Sequence, residues 1–202
     1  MSKIKLFTGM DFSGKTTIIK KIDIAKPNTF KVQKKFLTPI DTIEKVRKRD
    51  TWLPPEEWKP LLQNTVKKDI TNYREDSPIL QDSLWIIKYI ATKIEQNNIE
   101  DLEEISILEN LLGMYPDMDS FYITVSIEER IKRFKEREAL GKEITGSDKL
   151  LLDTNKFERV EKHYKNIVLK RFPNTKIINT TNKTPDEIVD YIIKDSDFLK
   201  DL

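Results

Sequence analysis

Eight consecutive residues, Gly9-Met10-Asp11-Phe12-Ser13-Gly14-Lys15-Thr16, fill every fixed place of the G-x-x-x-x-G-K-[ST] phosphate loop. Each residue type has a job. The glycines let the backbone turn so that successive N–H groups converge on phosphate oxygens, Lys15 reaches the β- and γ-phosphates, and the Thr16 hydroxyl can ligate Mg²⁺. The expected ligand is ATP with Mg²⁺, held by Gly9, Asp11, Phe12, Ser13, Gly14, Lys15, Thr16 and Thr17. The bland alternative is a glycine turn that happens to spell the motif. Context separates the two, because Ile4 to Thr8 reads as a buried strand and Thr16 to Ile22 as a helix whose N-terminus faces the phosphates.

Two further groups suit phosphoryl transfer, which needs a held metal and cations to balance the migrating charge. Asp82 ends the short apolar run Pro78-Ile79-Leu80-Gln81, where a carboxylate can face the metal; its other reading is the N-cap of a helix starting at Ser83 or Leu84. Arg133 and Arg137 lie one turn apart on a predicted helix and so share a face. They precede the glycine-flanked stretch Leu140-Gly141-Lys142-Glu143-Ile144-Thr145-Gly146-Ser147. Cations at the root of such a stretch suit a lid over residues 138–149 that closes on the ATP phosphates. By itself this would be an ordinary charged helix and loop. The candidate catalytic set is Lys15, Asp82, Arg133 and Arg137, with Thr16 and Asp82 as metal ligands.

The elements that must position these residues alternate along the chain. Strands are predicted at residues 4–8, 29–33, 78–82, 120–126 and 176–179. Helices are predicted from Thr16, within 51–74 after Pro54-Pro55, and over 84–94, 102–112, 127–138 and 150–171, with a last one opened by Thr184-Pro185-Asp186-Glu187. Five strands separated by helices imply a three-layer α/β fold, a parallel sheet covered on both faces. No repeat or linker divides residues 1–202, so a single domain is expected.

Composition removes other classes. The 36 basic and 34 acidic residues leave a net charge of +2, so no global field argues for nucleic acid or a membrane surface. The absence of cysteine excludes thiol catalysis and cysteine-ligated metal. The lone His163 cannot build a histidine cluster and reads as a surface or boundary residue. No apolar run approaches the ~20 residues of a membrane span, and the first strand follows the N-terminus almost at once. A cytoplasmic protein is expected.

Three blocks resemble the thymidylate kinase family. The phosphate loop is similar to that family's G-x-D-x-x-G-K-[ST]-T, including the internal Asp11. A second block comprises Pro116-Asp117-Met118, Tyr122-Ile123-Thr124-Val125, Glu128-Glu129 and Arg133-Phe134-Lys135-Glu136-Arg137; a third is Phe157-Glu158-Arg159-Val160 with Tyr164. The resemblance covers the first 25 residues and roughly 110–170. It implies a P-loop kinase fold, a contact of Asp11 with the acceptor sugar, Arg133 and Arg137 on donor phosphates, and a homodimer. The middle of the chain departs from the pattern. The family usually has Asp-Arg where this chain has Asp82-Ser83, and the region between Trp58 and Asp82 is shortened, with Lys67, Lys68 and Arg74 as its cations. Trp58 is the candidate for stacking on a base, with a core tryptophan as the alternative.

A nucleoside hydroxyl loses a proton during attack and needs a carboxylate base, whereas a monophosphate presents an ionised oxygen and needs cations. After the second strand the chain has Gln33-Lys34-Lys35 and no acid before Asp41. That polarity favours a phosphate-bearing acceptor, with Asp11, Lys34, Lys35 and Trp58 as its candidate contacts. The expectation is an ATP-dependent nucleoside or deoxynucleoside monophosphate kinase. The alternatives are a kinase of a nucleoside or another small molecule, with Asp82 or Asp11 as base, and a non-catalytic nucleotide-binding regulator.

Overall fold

All five residues of strand β1 (Ile4–Thr8) are buried, the pattern of a strand covered on both faces. It lies at the centre of a five-stranded sheet of order β2-β3-β1-β4-β5, and every pairing is parallel. The other strands are β2 (Lys31–Gln33), β3 (Ile79–Asp82), β4 (Asp119–Thr124) and β5 (Lys176–Asn179). This computed structural model describes residues 3–33, 55–73, 78–98, 102–142, 144 and 148–194; the side chains of residues 55–59, 61, 62 and 72 lie outside that description.

Among the described residues there are seven α-helices: α1 (Lys15–Ala25), α2 (Pro55–Asn72), α3 (Trp85–Gln96), α4 (Leu102–Gly113), α5 (Ile127–Ala139), α6 (Thr154–Arg171) and α7 (Pro185–Lys194). Ile18, Ile19 and Ile22 of α1 join Ile188, Val189 and Ile192 of α7 over one face of the sheet, against Phe7, Leu80, Phe121, Ile123 and Ile178. The opposite face buries Leu6, Ile79 and Tyr122 under α3, α4 and α6 through residues such as Ile87, Leu108 and Val160. The result is the expected three-layer α/β architecture. Because β1 is paired with β3 on one side and β4 on the other, the crevice beyond its C-terminal end is a natural ligand position.

Local chemistry explains where the boundaries differ from expectation. The second strand begins at Lys31, not Thr29, and exposes Lys31 and Val32, as an edge strand does; Thr29 N–H is instead tied to Lys26 O at 3.3 Å. The helix predicted over 150–171 is two elements, a 3₁₀ turn at Asp148–Leu152 and α6. Asp153 separates them, its Oδ1 accepting from Lys156 N–H at 3.0 Å, because a short polar side chain competes for the backbone and starts a new helix. The opening of α7 forms the reciprocal capping box: Thr184 N–H donates to Glu187 Oε2 at 2.7 Å, and Glu187 N–H to Thr184 Oγ1 at 3.3 Å. Among the described residues no helix is long and apolar enough to cross a membrane.

Several expected contacts fall elsewhere. Lys34, Lys35, Arg74, the side chain of Trp58, and Glu143, Thr145, Gly146 and Ser147 of the lid lie outside the described residues. Lys67 and Lys68 are exposed on α2.

Candidate active site

The phosphate loop runs from the end of β1 to the start of α1, and its glycines are there for different reasons. A Cβ on Gly9 would sit 2.2 Å from the carbonyl oxygen of Ile123, and its φ of +139° is closed to ordinary side chains. Gly14, with φ +94°, turns the chain into α1 and leaves that helix without a side-chain cap. With no side chain capping it, the start of α1 is a place where backbone N–H groups can meet a phosphate. Between the glycines, Phe12 adopts φ 61°, an unusual conformation for a bulky residue. It is held from above, its carbonyl accepting from Arg133 Nη1 at 3.0 Å and its ring packing edge-on against Phe134.

Lys15 is buried and folds back over the loop, its ammonium donating to Met10 O at 2.8 Å and Ser13 Oγ at 3.3 Å. Thr16 Oγ1 donates to Asp82 Oδ2 at 2.7 Å. The helix starts its cap at Leu84 without a side-chain bond, so Asp82 acts across the sheet edge and not as an N-cap. A hydroxyl and a carboxylate side by side are the hard oxygen donors that suit Mg²⁺ bound mainly through phosphates and water. Among the described residues there is no group of three or more His, Cys, Asp or Glu that could hold a metal ion.

The opposite wall comes from β3, α3 and α6. Ser83 takes φ 57° and donates its N–H to Phe7 O at 2.8 Å, so the chain leaves β3 in a sharp bend. Lys88 of α3 enters the cleft and forms a short ion pair with the Asp11 carboxylate. The hydroxyl of Tyr164 lies 2.6 Å from Thr8 Oγ1, and burial pushes its pKa up to about 12; it stays protonated as a neutral wall. Gly9, Asp11, Lys15, Thr16, Asp82, Ser83, Lys88 and Tyr164 together line a cleft of about 110 Å³.

Helix α5 supplies three arginines to this region. Arg133 is fixed between Glu129, at 3.0 Å, and the Phe12 carbonyl. Arg137 sits 5.8 Å from the centre of the Phe12 ring and 3.9 Å from Asp148. The third, Arg130, is fully buried. It donates to Asp11 O at 2.6 Å and Val125 O at 3.3 Å, pairs with Glu161 and lies over the Phe157 ring. Burial pulls its pKa below the usual arginine value, opposed by the Glu161 carboxylate.

Sequence reasoning nominated Lys15, Thr16, Asp82 and Asp11, which converge on the cleft, and Arg133 and Arg137, which reach the loop from above. It missed Lys88 and Arg130. For Arg130 there was a signal: it falls between Ile127 and Phe134 on the apolar stripe of α5, where a charge must find a buried partner. For Lys88 there was only its place in the first turn after a strand ending in a carboxylate.

No protein-family model matches the sequence. No curated protein is significantly similar to it. Among solved structures, the thymidylate kinase from Candida albicans superposes with a TM-score of 0.70 at 18% identity, covering 96% of this chain and 90% of that one. The chain has the thymidylate kinase fold. A deoxyadenosine kinase from M. mycoides superposes on this chain with a TM-score of 0.62 at 14% identity, covering 98% of this chain and 100% of that one. The thymidylate kinase from Ehrlichia chaffeensis gives 0.56 at 18% identity, with 96% and 97% covered. The resemblance carried by the phosphate loop and by residues 116–164 is thus matched by a fold that spans nearly the whole chain.

Proposed function

We propose that the chain is an ATP-dependent kinase that phosphorylates a nucleoside or deoxynucleoside monophosphate. The observation that carries this reading is the convergence on one cleft of Lys15, the Thr16–Asp82 pair and the open N-terminus of α1. ATP occupies the phosphate loop, with Lys15 leaving Met10 O for the β- and γ-phosphates. Thr16 and Asp82 would hold Mg²⁺, which when bound would offset negative charge on the phosphates. An oxygen of the acceptor attacks the γ-phosphorus, the new P–O bond forms as the bond to the β-phosphate oxygen breaks, and ADP leaves. Arg133 and Arg137, with the lid over 138–149, close on the phosphates and exclude water, so that transfer outruns hydrolysis. Asp11 contacts the acceptor sugar, Lys34 and Lys35 serve the acceptor's phosphate, and Trp58 stacks on its base.

Two solved neighbours favour different acceptors, since one type is a thymidylate kinase and the other a deoxyadenosine kinase. The second reading is therefore a nucleoside kinase in which Asp11 or Asp82 removes the hydroxyl proton. Both carboxylates are engaged, Asp11 by Lys88 and Asp82 by Thr16, and this supports the monophosphate as acceptor. The deciding experiment is ADP release with Mg²⁺-ATP against a panel of ribo- and deoxynucleoside monophosphates, their nucleosides and a no-acceptor blank. Turnover with a monophosphate is the expected result; turnover with nucleosides alone selects the second reading. Silence with ATP still bound indicates a kinase of another small molecule or a nucleotide-binding regulator. The homodimer implied by the resemblance is checked by sedimentation of the purified chain.

A further inference from the structure

We propose that Lys88 is a phosphate-binding residue of this chain, parked on Asp11 in the resting cleft and transferred to the acceptor's phosphate when that substrate binds. The proposal rests on the monophosphate kinase reading and adds to it a residue that no motif marks.

Position comes first. Helix α1, which receives the donor phosphates at its N-terminus, covers one face of the sheet with α7. Lys88 comes from α3, whose apolar residues pack on the other face. The two elements pack in different layers, so Lys15 and Lys88 reach the cleft from opposite faces of the sheet, with Asp11 and Ser83 among the residues lining the space they share. A cation on the α1 side serves the donor; one on the α3 side is placed for whatever approaches it. Helix α3 is rigid at this point, anchored by the fully buried Ile86, Ile87 and Ile90 on either side of Lys88.

Electrostatics comes second. The Lys88 side chain is only 13% exposed, and its one polar side-chain partner among the described residues is Asp11. A half-hidden ammonium held by one carboxylate of charge −1 is a weakly committed cation. A phosphate monoester carries about −1.5 to −2 charges and three acceptor oxygens, so in a site shielded from water it attracts the ammonium more strongly than a single carboxylate of charge −1 does. Transfer of Lys88 onto that phosphate also releases the Asp11 carboxylate to accept a hydrogen bond from a hydroxyl of the same substrate. Acceptor binding thereby exchanges one internal ion pair for two contacts with ligand. The main chain of Asp11 stays fixed throughout, because Arg130 holds its carbonyl; only side chains need to move.

The test is equilibrium binding of dTMP, dCMP, dAMP and dGMP, each beside its own nucleoside, to the wild-type chain, Lys88→Met and Lys88→Arg. A non-hydrolysable ATP analogue is titrated in parallel. For the monophosphate that binds best, Lys88→Met is expected to weaken affinity by about tenfold or more, while nucleoside and ATP-analogue affinities change by less than about twofold; Lys88→Arg restores most of the loss. Equal loss for nucleoside and monophosphate, loss confined to the ATP analogue, unchanged binding, or no monophosphate bound by the wild type would each overturn the assignment. The kinase reading fails separately, through absence of ADP release by a wild-type protein that does bind both ligands. Unfolding of Lys88→Met is controlled by its urea midpoint and by the Lys88→Arg chain.

Discussion

The guanidinium of Arg130 and the main-chain carbonyl of Asp11 meet at 2.6 Å although 119 residues separate them, so that the middle of the phosphate loop is bolted to helix α5. The same side chain is tied to Glu161 of α6, and Glu161 also accepts from the Tyr122 hydroxyl at 3.2 Å. One buried cation thereby joins loop, helix α5 and helix α6. Arg133 repeats the arrangement one residue further on, at the carbonyl of Phe12. A loop with a residue at φ 61° is held open by these two arginines before any phosphate arrives.

Removing that cation takes the charged partner from Glu161, which keeps only the Tyr122 hydroxyl, and a donor from the carbonyls of Asp11 and Val125. Arg130→Met is expected to cost about 3–5 kcal/mol, the scale for breaking a buried pair, read as a lower urea midpoint. Arg130→Met with Glu161→Leu should recover part of the loss, since the stranded charge is then gone as well. A midpoint unchanged in Arg130→Met would mean that the buried pair holds nothing in place.

Gly9→Ala tests the close approach of the loop to β4. With Ile123 O 2.2 Å from the added Cβ and φ at +139°, the loop must move. Nucleotide affinity should fall by at least about tenfold, as the N–H groups lose their alignment, measured by titration with an ATP analogue. Gly113→Ala, where a Cβ meets nothing within 4 Å, is the control and should bind normally.

Lys15→Ala is expected to reduce phosphoryl transfer by several orders of magnitude with little change in thermal stability, measured by single-turnover kinetics and a melting curve. The Met10 carbonyl and Ser13 hydroxyl that Lys15 now holds can be met by water in an open cleft. Near-normal turnover would remove Lys15 from the chemistry.

Asp82→Asn keeps a partner for the Thr16 hydroxyl but removes the negative charge on which the proposed magnesium site depends. The Mg²⁺ concentration giving half-maximal rate should rise by about tenfold or more, with ATP affinity in the absence of metal unchanged. An unshifted metal dependence would place the ion elsewhere.

The capping box of α7 provides a prediction in pH. The Glu187 carboxylate accepts from the Thr184 N–H and hydroxyl, and those bonds hold its pKa below the usual glutamate range. A depressed carboxylate stabilises the fold above its unfolded pKa, and the contribution disappears as pH falls through the lower, folded value. Glu187→Gln should therefore lower the urea midpoint slightly at pH 7 and converge with the wild type in acid, below the ordinary glutamate range of about 4.3. A gap that persists unchanged at pH 3 would assign the effect to packing and not to charge.

How much of this was legible beforehand depends on the range of the interaction. The phosphate loop, the buried run of β1 and the Thr184–Glu187 box are local patterns, so their residues could be read from neighbours in the chain. The break at Asp153 is local too, but its signal competes with a continuous helical periodicity through Leu150 and Leu151, which hid it. Asp82 was found because a carboxylate at a strand end is informative by itself; that its partner would be Thr16 follows only from β1 and β3 lying side by side.

Helix and strand order and the phosphate-loop motif were legible in the sequence alone, because periodicity and turn chemistry act over a few residues. The tertiary structure decided which charges meet. Lys88 and Arg130 look like any other cations on charged helices until the sheet carries one to the Asp11 carboxylate and the other to the Asp11 carbonyl. No spacing in the chain encodes a contact that depends on which helices share a face of the sheet and on the low-dielectric interior that makes an unpaired charge there too costly to leave alone.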